Sequence, residues 1–131
     1  MSPQQELFSQ FRVALEKAFP GMVFDGDLPP EDTPYPFIYI GNTQDSASYQ
    51  VKGGFFGRVN ITIHAWTNNI RARGDFSSLL FGIRRIAQSI DASPSYGWCM
   101  SGGNEDILPD DTTSEPLMHG LVNCEYKYWR K

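Results

Sequence analysis

His64 and His119 are the only histidines in the chain, and they are the first residues to ask about chemistry. Each falls at a polar position of an alternating apolar and polar run, Arg58 to Ala65 and Met118 to Tyr128. If those two runs are neighbouring strands, the rings approach each other across a sheet, with Glu125 and Asn123 on the same side. That would begin a metal shell, but no HxH or HExxH spacing accompanies either histidine. Strand alternation alone puts some polar residue at each position, so the expectation is no metal. Cys99 and Cys124 have no basic neighbour in sequence to lower a thiol pKa and form no CxxC pair. They are expected to be two buried thiols in a reducing compartment.

Other candidate chemistry also fails on spacing. No GxSxG elbow surrounds any serine. Gly53-Gly54 and Gly102-Gly103 neither open a helix nor precede a Lys-Thr pair, so they are not phosphate loops. The acids cluster in two segments, Asp25 to Asp32 and Glu105 to Glu115, among prolines, serines and threonines. Catalytic carboxylates need burial and a fixed separation, which such loops do not supply. Arg73-Gly74-Asp75 is an adhesion-like tripeptide that leads into a helix, and tripeptides recur by chance. The expectation is therefore a protein without catalytic residues, cofactor or metal, acting through its surfaces.

The totals fit that expectation. At 131 residues, with 40% hydrophobic and 14% aromatic composition, the chain has the size of one domain and enough apolar material for a core. A net charge of −4 argues against a dedicated nucleic-acid binder, which needs a basic face, though a mildly acidic wall would let DNA slide past. No apolar run approaches the ~20 residues that span a bilayer. The polar start, Met1-Ser2-Pro3-Gln4-Gln5, is unlike a secretory signal, so the expected site of synthesis is the cytoplasm.

The elements that must position these residues come from periodicity. Ser2 and Pro3 suit the cap and first position of a helix, with Gln5 completing a capping box. Leu7, Phe8, Phe11, Leu15, Ala18 and Phe19 then form a helical stripe that Pro20-Gly21 ends. Residues 25–36 hold four prolines and four acids and predict an extended connection. Phe37 to Ile40 predicts a short strand closed by Gly41-Asn42. Residues 43–57, ending in Lys52-Gly53-Gly54-Phe55-Phe56-Gly57, predict a contact-bearing loop or the tip of a long hairpin.

Arg58 to Ala65 alternates as a strand covered on one side. Phe76, Leu79, Leu80, Ile83, Ile86, Ala87 and Ile90 predict a helix starting between Asn69 and Asp75. Tyr96 to Met100 predicts a short strand, Ser101 to Asn104 a turn, Glu105 to Pro116 an acidic loop, and Leu117 to Trp129 a last strand beside residues 58–64. The fold class is α+β: one mainly antiparallel sheet of about four strands packed by two helices, in the order α-β-β-α-β-β, with long loops, as one domain over 1–131.

In that order and spacing the chain resembles the small tail-completion, or head-to-tail joining, proteins of long-tailed bacteriophages. The resemblance rests on the short N-terminal helix, on Pro36-Phe37-Ile38-Tyr39-Ile40-Gly41, on Val59 to Trp66 followed by a helix, and on Leu121 to Tyr128, and it covers nearly the whole chain. It implies a tail-terminator-like structural protein of the virion. Such proteins form a ring, hexameric in the particle, that caps the tail tube, docks on the connector or stopper under the head, and passes DNA through its lumen without specific binding. It implies no membrane and no catalytic residue, with assembly in the host cytoplasm and residence at the head-tail junction. In this chain it casts Tyr49, Lys52, Phe55, Phe56 and Arg58, and Asp110 and Asp111 of the acidic loop, as contact residues. The alternative is a small acidic binding module, immunity- or antitoxin-like, that meets a basic partner.

Overall fold

The structure is a computed structural model that describes residues 1–48 and 56–131. Helix α1 spans Pro3–Ala18. The Ser2 hydroxyl accepts from the Gln5 N–H at 3.2 Å, as a capping residue should. The capping box is only half made, because the Gln5 side chain turns forward to Ser9. Gly21, at φ +76°, lets the chain reverse where a side chain would be strained.

Strand β1, Val23–Asp25, runs parallel to β2, Phe37–Ser48. Strand β3 is Phe56–Thr67, helix α2 is Arg73–Ser89, β4 is Tyr96–Asp110 and β5 is Leu117–Arg130. They build one sheet of five strands in the order β1-β2-β3-β5-β4, antiparallel except for β1 with β2. The expected neighbours, residues 58–64 and the last strand, do pair, Arg58 opposite Lys127 and Thr62 opposite Asn123.

Three expectations need correction. The sheet has a fifth strand, β1, where residues 23–25 lie along the β2 edge. Gly41-Asn42 does not close β2; it is a bulge between Ile40 and Thr43, after which pairing with β3 resumes. Ser101 to Asn104 is not a turn and residues 105–110 are not loop. Both belong to β4, which carries a bulge between Met100 and Gly102 and pairs with β5 as far as Asp110 opposite Leu117. A partner strand supplies the backbone hydrogen bonds that polar sequence does not advertise.

Both helices cover the same face of the sheet. Leu7, Phe11 and Leu15 of α1 and Phe76, Leu80, Ile83 and Ala87 of α2 are buried against Val59, Ile61, Ile63, Val122 and Tyr126. Tyr126 ties the layers together: its ring meets Phe11 edge-on at 6.0 Å and its hydroxyl donates to the Ala87 carbonyl at 2.5 Å. Helix α2 approaches β5 closely because Gly120 has no side chain, and a Cβ there would lie 2.6 Å from Leu80 Cδ2.

A buried carboxylate fastens the start of α1 to the α2–β4 connection. Glu6 accepts from the Ser93 hydroxyl at 2.7 Å and the Ser95 N–H at 2.8 Å, and Trp98 Nε1 donates to the same Ser93 hydroxyl. Burial by itself would raise the Glu6 carboxyl, but the Ser95 and Ser93 hydrogen bonds outweigh it and hold the group below the usual carboxylate range. No helix among the described residues is long and apolar enough to cross a membrane.

Candidate functional site

The other face of the sheet has no helix on it. Strand alternation sends every second residue there: Phe37 and Tyr39 from β2, Arg58, Asn60, Thr62, His64 and Trp66 from β3, and His119, Asn123, Glu125, Lys127 and Trp129 from β5. Its character changes along the strands.

At the end formed by residues 64–67 the side chains stack. Trp66 stands opposite both Phe37 and His119 in register. Its ring lies 5.2 Å from Phe37 and 4.3 Å from His119, nearly parallel to the latter at 5°. His64 continues the stack, 5.0 Å from His119. The two histidines are hydrogen-bonded to each other, His64 Nδ1 to His119 Nε2 at 2.8 Å, so one nitrogen donates and the other accepts. Such a bond requires at least one unprotonated ring nitrogen.

Both histidines sit below the ordinary 6.5. For His64 the causes are burial and then the adjacent His119; for His119 burial outweighs the opposing pull of Asp110. A histidine lowered by folding binds fewer protons folded than unfolded. Its contribution to stability is therefore complete above about pH 6.5 and declines as pH falls below that value. The melting temperature is expected to drop between about pH 7 and about pH 5. His119→Phe, which keeps an aromatic ring on Trp66 and removes one titrating site, should flatten that slope; a thermal-shift series showing an unchanged slope would contradict the assignment.

Beside the stack the two acidic segments, far apart in sequence, come together. Leu28, Glu31, Tyr35, Phe37, Trp66 and Leu117 are among the residues that line a cleft of about 330 Å³, together with Asp110 and Thr112. Asp110 ends β4. Thr112 donates to its Oδ1 from both hydroxyl and N–H, at 2.6 and 3.0 Å, and Trp66 Nε1 donates to Oδ2 at 3.2 Å. The Thr112 bonds first, then Trp66 and His119, hold the Asp110 carboxyl below its ordinary range. Asp110 thus fixes the Trp66 ring as the cleft floor, whereas Asp111 is exposed to solvent.

The middle of the face is a carboxamide patch. Thr62 donates to Asn123 at 2.8 Å, and Asn123 donates to Asn104 at 2.6 Å. At the far end Phe56 is half-buried and Arg58 exposed. Phe56 faces Trp129 and Arg58 faces Lys127. Trp129 lies over Gly97, where a Cβ would come within 2.4 Å of the indole. Of the contact residues expected from sequence, Asp110 and Asp111 lie at the cleft end, and Phe56 and Arg58 at the opposite end. Tyr49, Lys52 and Phe55 lie outside the described residues. Sequence reasoning missed Tyr35, Phe37 and Trp66 as a cleft floor, because each reads as an ordinary strand or loop aromatic until the register is known.

The thiols are not alike. Cys124 is buried on the helix side, where burial first and Glu105 second push it up to about 12. Cys99 is exposed, which corrects the expectation of two buried thiols. It stands opposite Lys127 on the uncovered face, so the two cysteines belong to opposite sides of the sheet. Among the described residues no group of three or more His, Cys, Asp or Glu gathers closely enough to hold a metal ion; Glu125 stands across from Asn60, away from the histidine pair.

No protein-family model matches the chain, and no curated protein is similar to it in sequence. Among solved structures, a chain from the virion of a native gene transfer agent particle superposes with a TM-score of 0.63 at 12% identity, over 99% of this chain and 96% of that one. The two share a fold. A second solved chain reaches a TM-score of 0.49 at 12% identity over 99% of this chain and 97% of its own, too distant to carry an argument.

Proposed function

We propose that the chain is a structural protein of a phage or phage-like virion. In this reading it sits at the head-to-tail junction as a ring that caps the tail tube and docks on the connector under the head. The supporting observation is the likeness of fold, over nearly the full length of both chains, to a chain of a gene transfer agent virion. The surfaces suit such a role: one sheet face bears the helices, and the other is left uncovered, with chemically different ends. Function on this reading comes from contact, not catalysis. DNA crosses the ring without specific binding, consistent with a chain of net charge −4. The chain is made in the host cytoplasm and ends in the particle, with no membrane step.

The test is genetic. A phage unable to make the chain is expected to accumulate filled heads and separate tails. Wild-type chain supplied in trans should restore joined particles, and a variant that cannot fold should not. A normal yield of joined, infectious particles without the chain would refute the proposal.

A further inference from the structure

The uncovered sheet face is electrically polarised, and its two ends complement each other. At one end the aromatic-floored cleft is lined by Glu31 and Asp110, and Glu115 lines an adjoining pocket that shares Glu31, Tyr35 and Thr113 with it. Eight residues from Trp66 along β3, roughly 27 Å away by strand rise, Arg58 and Lys127 stand directly opposite each other, both exposed. Like charges placed opposite in a sheet repel. Their other neighbours do not neutralise them: Ser46 pairs with Arg58 and Cys99 with Lys127. The nearest acid on that face, Glu125, is one position further along, opposite Asn60. Among the described residues the ion pairs within 4 Å are Arg12 with Glu16 and Asp25, and Arg84 with Glu105; neither Arg58 nor Lys127 takes part. Beside them Trp129 keeps 48% of its surface exposed.

We infer that the basic, aromatic end of one copy, Arg58, Lys127 and Trp129, docks into the acidic, aromatic cleft of the next copy. The occupant of the cleft is thus a second copy of this chain. The exposed indole meets the Tyr35–Phe37–Trp66 floor, where aromatic rings pack favourably. Arg58 and Lys127 meet the carboxylates of the rim, which relieves the repulsion each copy carries alone. Because the two patches differ, the contact is head-to-tail, and a head-to-tail contact whose rotation closes makes a ring. This deepens the ring reading above and rests on it.

The experiment uses two double variants of the full chain. Arg58→Glu with Lys127→Glu makes both ends acidic; Glu31→Arg with Glu115→Arg makes both ends basic. All four positions are exposed, so both variants should melt like wild type. In sedimentation equilibrium at low salt the wild type is expected to self-associate with rising concentration, and high salt should weaken that association. Each variant alone should associate on the order of a hundredfold more weakly, from like-charge opposition across the contact. An equimolar mixture should recover association, since each variant supplies the end the other lacks.

A wild type that remains monomeric at low salt up to its solubility limit would overturn the inference. So would variants that associate like wild type, or a mixture no stronger than its parts. A cleft that instead binds only a different basic partner would appear as a monomeric wild type and count against it too. Failure here is separable from failure of the virion reading. If either variant joins heads to tails as well as wild type, the contact is wrong and the reading stands. If phage lacking the chain still forms joined particles, the reading fails whatever the sedimentation shows.

Discussion

Replacing Ile83 by Asp is expected to unfold the protein. Ile83 is fully buried on the face of α2 that lies against the sheet. A carboxylate there would lose its water and gain no partner. The penalty, about 5 kcal/mol or more once the lost packing is added, is comparable to the whole stability of a small domain. Far-UV circular dichroism should show loss of the cooperative melt at room temperature. A melt that matches wild type would mean that α2 does not bury this face. The same variant is the natural non-folding control in the particle-rescue assay.

The second large effect is expected at Glu6. Removing its side chain in Glu6→Ala leaves the Ser93 hydroxyl and the Ser95 N–H, which both donate to it at 2.7 and 2.8 Å, without their acceptor in a buried place. The Ser93 hydroxyl can still reach the Tyr96 carbonyl at 3.5 Å, so a cost of about 2 kcal/mol follows from the lost charge-assisted bonds and the unpaired Ser95 N–H. Because folding lowers the Glu6 pKa from its ordinary 4.5, its contribution is complete above about pH 4.5 and is lost as pH falls below that value. Acid should therefore act in two stages: the histidine pair below about pH 6.5, then below about pH 4.5 Glu6, joined by Asp110, whose carboxyl folding also lowers. Glu6→Gln should weaken the second stage, leaving the share carried by Asp110, while keeping part of the hydrogen bonding. A Glu6→Ala protein as stable as wild type in urea melts would show that α1 is not held at this point.

What the sequence made legible was whatever depends on local periodicity. The α1 cap at Ser2, the α2 stripe through Ile83 and the alternation of Val59 to Ala65 all identify their elements, because each pattern lies within one segment. The misses share a different cause. Gly41-Asn42 and Gly102-Gly103 look like chain reversals, yet both lie at bulges inside long strands whose partners are far away in sequence. Residues 104–110 are too acidic to suggest a strand, but they pair along β5 from Asn123 to Leu117. Edge strands tolerate such residues because one of their sides faces solvent.

The candidate site was legible only in pieces. His64 and His119 could be assigned to one face, but their contact at 2.8 Å depends on the β3–β5 register, which places Trp66 opposite His119. Register is a property of the pairing and not of either strand alone. The cleft was harder still. Its walls come from residues 28–37 and 110–117, and only the fold makes them neighbours. Read singly, both segments are acidic loops with no reason to meet. Together they form a pocket with an aromatic floor, and that pocket is where the surface reading acquires a definite place.

The central claim concerns location in a particle, and a cryo-EM reconstruction of the head-to-tail junction in purified particles tests it most directly. The account predicts a ring of density between tube and connector that accepts this two-helix, five-stranded fold, with the uncovered sheet face engaged in contacts between subunits. A junction fully accounted for by other chains, with no density for this fold, would contradict it.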